Sequence, residues 1–293
     1  MRSLHILFIL VVVPWLGFPL RAQEAISIGT RRTLFSLVLN EAREYWVYVP
    51  ATRPGEKEES YPVLYLLDGD SFFHSVVGFS RLFSTSNVSS LPPCIVVAVL
   101  NTNRTRDFTP TCSAARRDGT VRPGDKPEGG GAGQFCRFLT EELRLAVEQD
   151  LPVNGQHLLA GHSYAGLFTL HVLLNYPSAF DTYIAIDPSL WWDKGYFQKQ
   201  VERQVDKVDF SGKQLYVAFA TQLRLDRKLI HFPLTDDFIG SAVPRMEKRH
   251  LRVVSKKFPE ETHGTVALPG FYDGLKTLFF RSAVGFSLPN KPL

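Results

Sequence analysis

The chain has only three cysteines, Cys94, Cys112 and Cys136, among its 293 residues. An odd count excludes a fully paired disulfide framework, and so few thiols argue against a zinc cluster. A charge of one sign is missing too: 33 basic and 29 acidic residues leave a formal net charge of +4, which is no footprint for nucleic-acid binding. Beyond residue 22 no apolar run is long enough to cross a bilayer, and no internal repeat recurs. The densest glycine cluster, Gly129-Gly130-Gly131-Ala132-Gly133, carries no phosphate-binding pattern and reads as a hinge or a flexible linker. What is present is 44% hydrophobic residues, enough for one large core, so residues 23–293 are expected to form a single α/β domain.

The first residues differ from the rest. Arg2 precedes an apolar stretch from Ile6 to Leu20, broken by Pro14, with small residues near Ala22. This is the pattern of a signal peptide over residues 1–22, which implies a secreted or periplasmic protein; an uncleaved membrane anchor is the alternative, for which the stretch is short and interrupted by proline. Its removal takes away Arg2 and Arg21 and leaves a formal charge of +2. In an oxidising compartment Cys112 and Cys136 are either bridged, which would staple the loop between them by about 3 kcal/mol, or free. Cys94 opens an apolar run and reads as a buried thiol. Asn87-Val88-Ser89 and Asn103-Arg104-Thr105 match the glycosylation pattern of a eukaryotic secretory pathway.

Hydrophobic patterning orders the elements. Leu34 to Leu39 and Tyr45 to Val49 alternate as an antiparallel hairpin. Tyr61 to Leu67 and Cys94 to Leu100 are continuous apolar runs, as in parallel strands covered on both faces, with a helix from Phe73 to Phe83 between them. Asn101 to Gly133 shows few regular signals and reads as a long loop, rich in Arg104, Arg106, Arg116, Arg117 and Arg122. A helix is expected over Gln134 to Gln149, then strands at Gln156 to Ala160, Thr182 to Ile186, Gln214 to Ala220 and Leu251 to Phe258, and a closing helix from Tyr272 to Phe280. Strands alternating with helices imply a mostly parallel, doubly wound sheet with helices on both faces.

The chemistry concentrates where Gln156 to Ala160 turns into the next helix, at Gly161-His162-Ser163-Tyr164-Ala165-Gly166. A strand that reverses directly into a helix tolerates only small neighbours at its apex, and it lifts the hydroxyl of Ser163 above the sheet edge. The N–H of Tyr164 opens the helix and faces any negative charge forming beside the serine. The usual pattern has glycine at the fifth position, where this chain has Ala165. A helix-capping serine is the alternative reading. A serine hydroxyl needs a base, and His263, in Glu260-Glu261-Thr262-His263-Gly264 beyond the last strand, stands about a hundred residues on, in the order expected. His162 reads as a packing residue, and His74 as a residue of a surface helix or of the pocket lining.

With these residues the chain resembles the putative esterase family of the α/β-hydrolase superfamily, the group related to esterase D and to siderophore esterases. The likeness is carried by Leu66-Leu67-Asp68-Gly69-Asp70, Asn101-Thr102-Asn103-Arg104-Thr105-Arg106-Asp107, Gly161-His162-Ser163, Pro188-Ser189-Leu190-Trp191-Trp192-Asp193 and His263-Gly264-Thr265-Val266. The resemblance implies an α/β-hydrolase fold in which Ser163 is acylated and His263 relays the proton, with no metal or organic cofactor. It implies a second oxyanion donor in the N–H of Asp70 or Gly69, and Trp191 and Trp192 as walls of the substrate site or as core. For the triad acid it points to the end of the strand at Leu215 to Ala220. There Asp226 ranks first, ahead of Asp187, Glu261 and a dyad without an acid.

The expected function is an exported serine esterase acting on a small-molecule ester, of siderophore type or another, with no nucleic-acid partner. The basic segment that includes Arg104 hints at an anionic substrate, a solvated loop face being the alternative. An acyltransferase on the same fold, and an inactive ligand-binding homologue suggested by Ala165 and the displaced acid, are the competing readings.

Overall fold

The computed structural model describes residues 25–51, 60–85, 92–221 and 231–284. The signal-peptide expectation at residues 1–22, Asn87 and Asp226 fall outside the described residues. Ten strands are formed there: β1 (Thr30–Ser36), β2 (Glu41–Tyr48), β3 (Tyr61–Leu66), β4 (Ile95–Val99), β5 (Cys112–Ser113), β6 (Glu128–Gly129), β7 (Val153–His162), β8 (Thr182–Ile186), β9 (Gln214–Ala220) and β10 (Arg252–Phe258). Eight of them make one sheet in the order β1-β2-β4-β3-β7-β8-β9-β10. β1 and β2 pair antiparallel, β2 joins β4 antiparallel, and every later pairing is parallel. With helices on both faces this is the α/β-hydrolase fold.

The helices are α1 (Gly69–Thr85), α2 (Arg104–Phe108), α3 (Ala132–Arg137), α4 (Arg144–Asp150), α5 (Tyr164–Asn175), α6 (Trp192–Gln204), α7 (His231–Asp237), α8 (Val243–Lys248) and α9 (Ala267–Val284). α3 runs into α4 through a widened turn at Phe138–Leu143. Successive side chains of a strand point to opposite faces, and the core divides accordingly. Val63, Tyr65, Leu67, Leu159 and Val217 pack with α3, α5 and α6 on one side. Leu64, Leu66, Ala160, Ile186 and Ala218 pack with Phe73 and Val77 of α1 and with Phe271 and Leu275 of α9 on the other. α5 is buried along Ala165 to Leu174, which is why its sequence is apolar all round and shows no amphipathic stripe.

The segment Asn101 to Gly133 differs from the loop its sequence suggests. It contains α2 and the short antiparallel ladder of β5 and β6. Ion pairs hold it down: Arg106 pairs with Glu41 and Asp107, and the fully buried Arg43 of β2 donates to Asp107 at 2.6 Å. Gly129 is no hinge. Its φ is +93°, and a side chain there would collide with Thr109 and press on the Trp192 ring. All three cysteines are free thiols. Cys112 is exposed, whereas Cys136 faces the core from α3, where burial pushes its thiol up to about 12.

Candidate active site

β7 delivers the serine. Ser163 sits at φ +62°, ψ −118°, a region that non-glycine residues occupy only when surrounding structure enforces it. The enforcement is visible on both sides: Ser163 N–H donates to the Ile186 carbonyl, and the Ser163 carbonyl accepts from the N–H groups of Leu167 and Ser189. The small residues follow from contact. A Cβ at Gly161 would lie 2.5 Å from the backbone of Ala165, and one at Gly166 would lie 2.9 Å from the Ile186 carbonyl. The methyl of Ala165 is accommodated because Gly161 has none to oppose it.

Two further strands deliver the partners. His263 follows β10 in a turn closed by Thr262 and Thr265, and its Nε2 lies 3.0 Å from Ser163 Oγ. Its Nδ1 lies 2.6 Å from Oδ2 of Asp187. A carboxylate accepts, so Nδ1 carries the proton and Nε2 presents its lone pair to the serine hydroxyl. Asp187 ends β8 at φ +39° and is buried. Its Oδ1 accepts from the N–H of Ala220 at the end of β9, and its own N–H donates to the Ala218 carbonyl. The carboxylate beside His263 is therefore Asp187, which sequence reasoning ranked behind Asp226. With Asp187 on Nδ1 and Ser163 on Nε2, neither ring nitrogen is left for Glu261. The signal available in the sequence was an aspartate closing an apolar strand and followed by proline. Sequence reasoning missed Ser189, a buried residue whose hydroxyl lies 3.2 Å from that of Ser163.

The N–H groups of Tyr164 and Asp70 lie in the first turns of α5 and α1, where no intrahelical acceptor is available. Their loops are joined by Arg104. Its guanidinium forks onto Asp68 at 2.6 and 2.9 Å and reaches the His162 carbonyl at 3.3 Å. Asp68 is buried at φ +53°, and Asn101 donates to it and to Asp70. Arg104 therefore belongs to the scaffold beneath both loops, contrary to the expectation that it meets substrate, because a buried carboxylate demands a partner and Asp68 is the nearest.

A cleft of about 510 Å³ is lined by Tyr164, the residue after Ser163, with Trp191, Trp192, Arg116, Arg117 and Lys126 and with Asp118, Asp125 and Glu128. The tryptophans are both wall and core. Trp192 is pinned through Nε1 to Thr111, and both rings pack against Tyr164. Arg116 is held by Asp125, whereas Arg117 lies over the Trp191 ring at 5.5 Å with no carboxylate in ion-pair range among the described residues. His74 is exposed and stands edge-on to Trp46 and Phe73, away from the cleft lining. Among the described residues no group of three His, Cys, Asp or Glu side chains converges to hold a metal.

A serine in an enforced backbone conformation, a histidine oriented by a buried carboxylate and two sets of free helix N–H groups can perform acyl transfer. The family model described as Putative esterase matches residues 36–220. The chain is 33% identical to the ferri-bacillibactin esterase BesA of Bacillus subtilis over 196 residues, covering 62% of this chain and 66% of that protein. It is 31% identical to the siderophore enterobactin esterase of Emericella nidulans, covering 57% of each. The matched stretch thus spans less than two thirds of the length of these relatives. Among solved structures, an IroE-like serine hydrolase from Shewanella oneidensis superposes with a TM-score of 0.78 at 34% identity, covering 87% of this chain and 81% of that one.

Proposed function

The chain belongs to the putative esterase family, and from that membership we propose that it is an exported serine esterase that hydrolyses siderophore-type esters through an acyl-enzyme on Ser163. The observation that carries this reading is the chain of contacts from Ser163 Oγ through His263 to Asp187. His263 Nε2 takes the serine proton as Oγ attacks the ester carbonyl. The negative charge on the carbonyl oxygen is met by the N–H groups of Tyr164 and Asp70, donors worth about 3 to 4 kcal/mol each in related chemistry. His263 then protonates the leaving alcohol, and water, deprotonated by the same nitrogen, releases the acid. Asp187 keeps the imidazole in the required tautomer and stabilises the imidazolium that forms.

The substrate class is supported by the relatives, which are named for siderophore esters, and by the cleft. Tyr164, Trp191 and Trp192 offer flat apolar faces, while Arg117 and Lys126 offer positive charge to an anionic aromatic acyl group. Export is supported by the pattern of residues 1–22. An inactive ligand-binding homologue has no use for a serine held at φ +62° against a histidine. The test is hydrolysis of a tricatecholate trilactone, with and without iron, and of p-nitrophenyl butyrate. Ser163→Ala is expected to abolish both and to prevent labelling by a fluorophosphonate. Full retained activity in that variant would overturn the reading, and an ester product formed with added alcohols would redirect it to acyl transfer.

A further inference from the structure

His263 is delivered from the far edge of the sheet. It follows β10, and β9 and β8 lie between β10 and β7, the strand that carries Ser163. Strands stand about 4.8 Å apart, so the turn bearing His263 must reach back across roughly 14 Å of sheet edge to meet the serine. The turn is closed by hydrogen bonds to the Thr262 carbonyl and anchored by the buried Val266, and the Asp187 carboxylate holds the imidazole from β8, but neither ties the backbone of His263 itself to the strand that carries the serine.

A second tether comes from β7 itself. His162, the residue immediately before Ser163, lies with its Nε2 2.9 Å from the carbonyl oxygen of His263. A carbonyl only accepts, so Nε2 carries the hydrogen and His162 is the donor. Burial and the neighbouring His263 lower its pKa to about 4, so the ring is neutral when the esterase works. The ring also lies against the His263 imidazole, with centroids 4.7 Å apart and a tilt of 34°. Phe72 of α1 meets it edge-on at 6.0 Å and leans on Phe271 of α9. Its own carbonyl accepts from Arg104. His162 is thus held firmly and joins the nucleophile's turn to the base's turn.

We propose that His162 is a positioning residue that fixes the backbone of His263 to the serine's turn and so sets the Ser163 to His263 separation. The proposal rests on the reading of Ser163 as nucleophile and His263 as base. Misplacement of a reacting group by about 1 Å can cost on the order of 100-fold in rate, whereas substrate binding in the cleft beside Tyr164 would be little disturbed.

The test compares His162→Leu, which keeps bulk but cannot donate, with His162→Gln, whose amide can reach the same carbonyl, and uses Ser163→Ala as the control. His162→Leu is expected to lower kcat on p-nitrophenyl butyrate by roughly 10- to 100-fold with KM changed less than threefold. It should slow fluorophosphonate labelling of Ser163 in parallel, and His162→Gln should recover most of both. A kcat within twofold of wild type in His162→Leu would overturn the proposal, as would a His162→Gln variant as slow as His162→Leu. Should His162→Leu fail to fold, His162→Asn, whose amide is too short to reach, takes its place against His162→Gln. Full activity in Ser163→Ala would sink the underlying catalytic reading instead, and is told apart because the His162 variants play no part in that measurement.

Discussion

Two walls meet at Ser163, and they are built from different interactions. On the side of α1, the turns that carry Asp70 and Tyr164 are held by charge: Arg104 forks onto the buried Asp68 and reaches the carbonyl before the serine. On the side of β10, the turn that carries His263 is anchored by the buried Val266, and its histidine is held by one carboxylate, Asp187, and one neutral ring, His162. The difference suits the tasks. In the mechanism proposed the oxyanion wall must stay still through the reaction, and a forked pair on a buried carboxylate does that. The base wall, in the mechanism proposed, must let its imidazole gain and lose a proton; the fixed charge sits on Nδ1 only and the second tether is uncharged.

Breaking the base wall is expected to have the largest effect. Asp187→Asn should lower kcat by about 1,000- to 10,000-fold, because an amide in that place favours the wrong tautomer, while KM and the thermal midpoint change little. Asp226→Asn should leave kcat within about twofold, a change too small to come from the group that orients the base. Steady-state kinetics on one ester separates the two carboxylates.

Breaking the oxyanion wall comes next. Arg104→Met leaves the buried Asp68 with Asn101 but without its cation, and loosens the turn before Asp70. We expect about a 100-fold loss in kcat together with a stability loss of about 2 kcal/mol, read by urea unfolding. Arg104→Lys should rescue only part of the rate, since an ammonium cannot fork onto a carboxylate.

Acid sharpens the contrast without any substitution. His162 and His171 are both held near pKa 4, chiefly by burial, against an ordinary value of 6.5. Between those values the unfolded chain binds more protons than the folded one. Stability therefore falls as pH drops from about 6.5 toward 4, by on the order of 1 kcal/mol per pH unit for each histidine. Urea midpoints measured across this window should fall steadily, and His171→Gln should flatten the slope.

The smallest effect is expected at Arg117, which shares the segment of Arg104 but faces the cleft over Trp191. Arg117→Ala should raise KM for an anionic aromatic ester by about 5- to 10-fold, as loss of a single charge contact does, and leave a neutral p-nitrophenyl ester unchanged. Equal effects on both esters would remove the anionic preference.

Much of this was legible in the residues. The strands at Thr182–Ile186 and Gln214–Ala220 carry the bounds their apolar runs suggest, because a strand covered on both faces needs an unbroken apolar run. The segment from Asn101 to Gly133 was not legible. Its order comes from Arg106 with Glu41 and Arg43 with Asp107, partners some 65 residues apart, and no periodicity marks such pairs.

By itself the sequence determined the serine's turn, the chain order of the strands of the main sheet, and His263 as the base candidate. Each of these depends on sterics or patterning within a few neighbouring residues. Only the tertiary structure decided which carboxylate meets His263, which arginine is scaffold and which faces the cleft, and that His162 clasps a carbonyl 101 residues away. Two aspartates beyond neighbouring strands look alike along the chain. The adjacency of β7 and β8, and the reach of the turn after β10, choose between them.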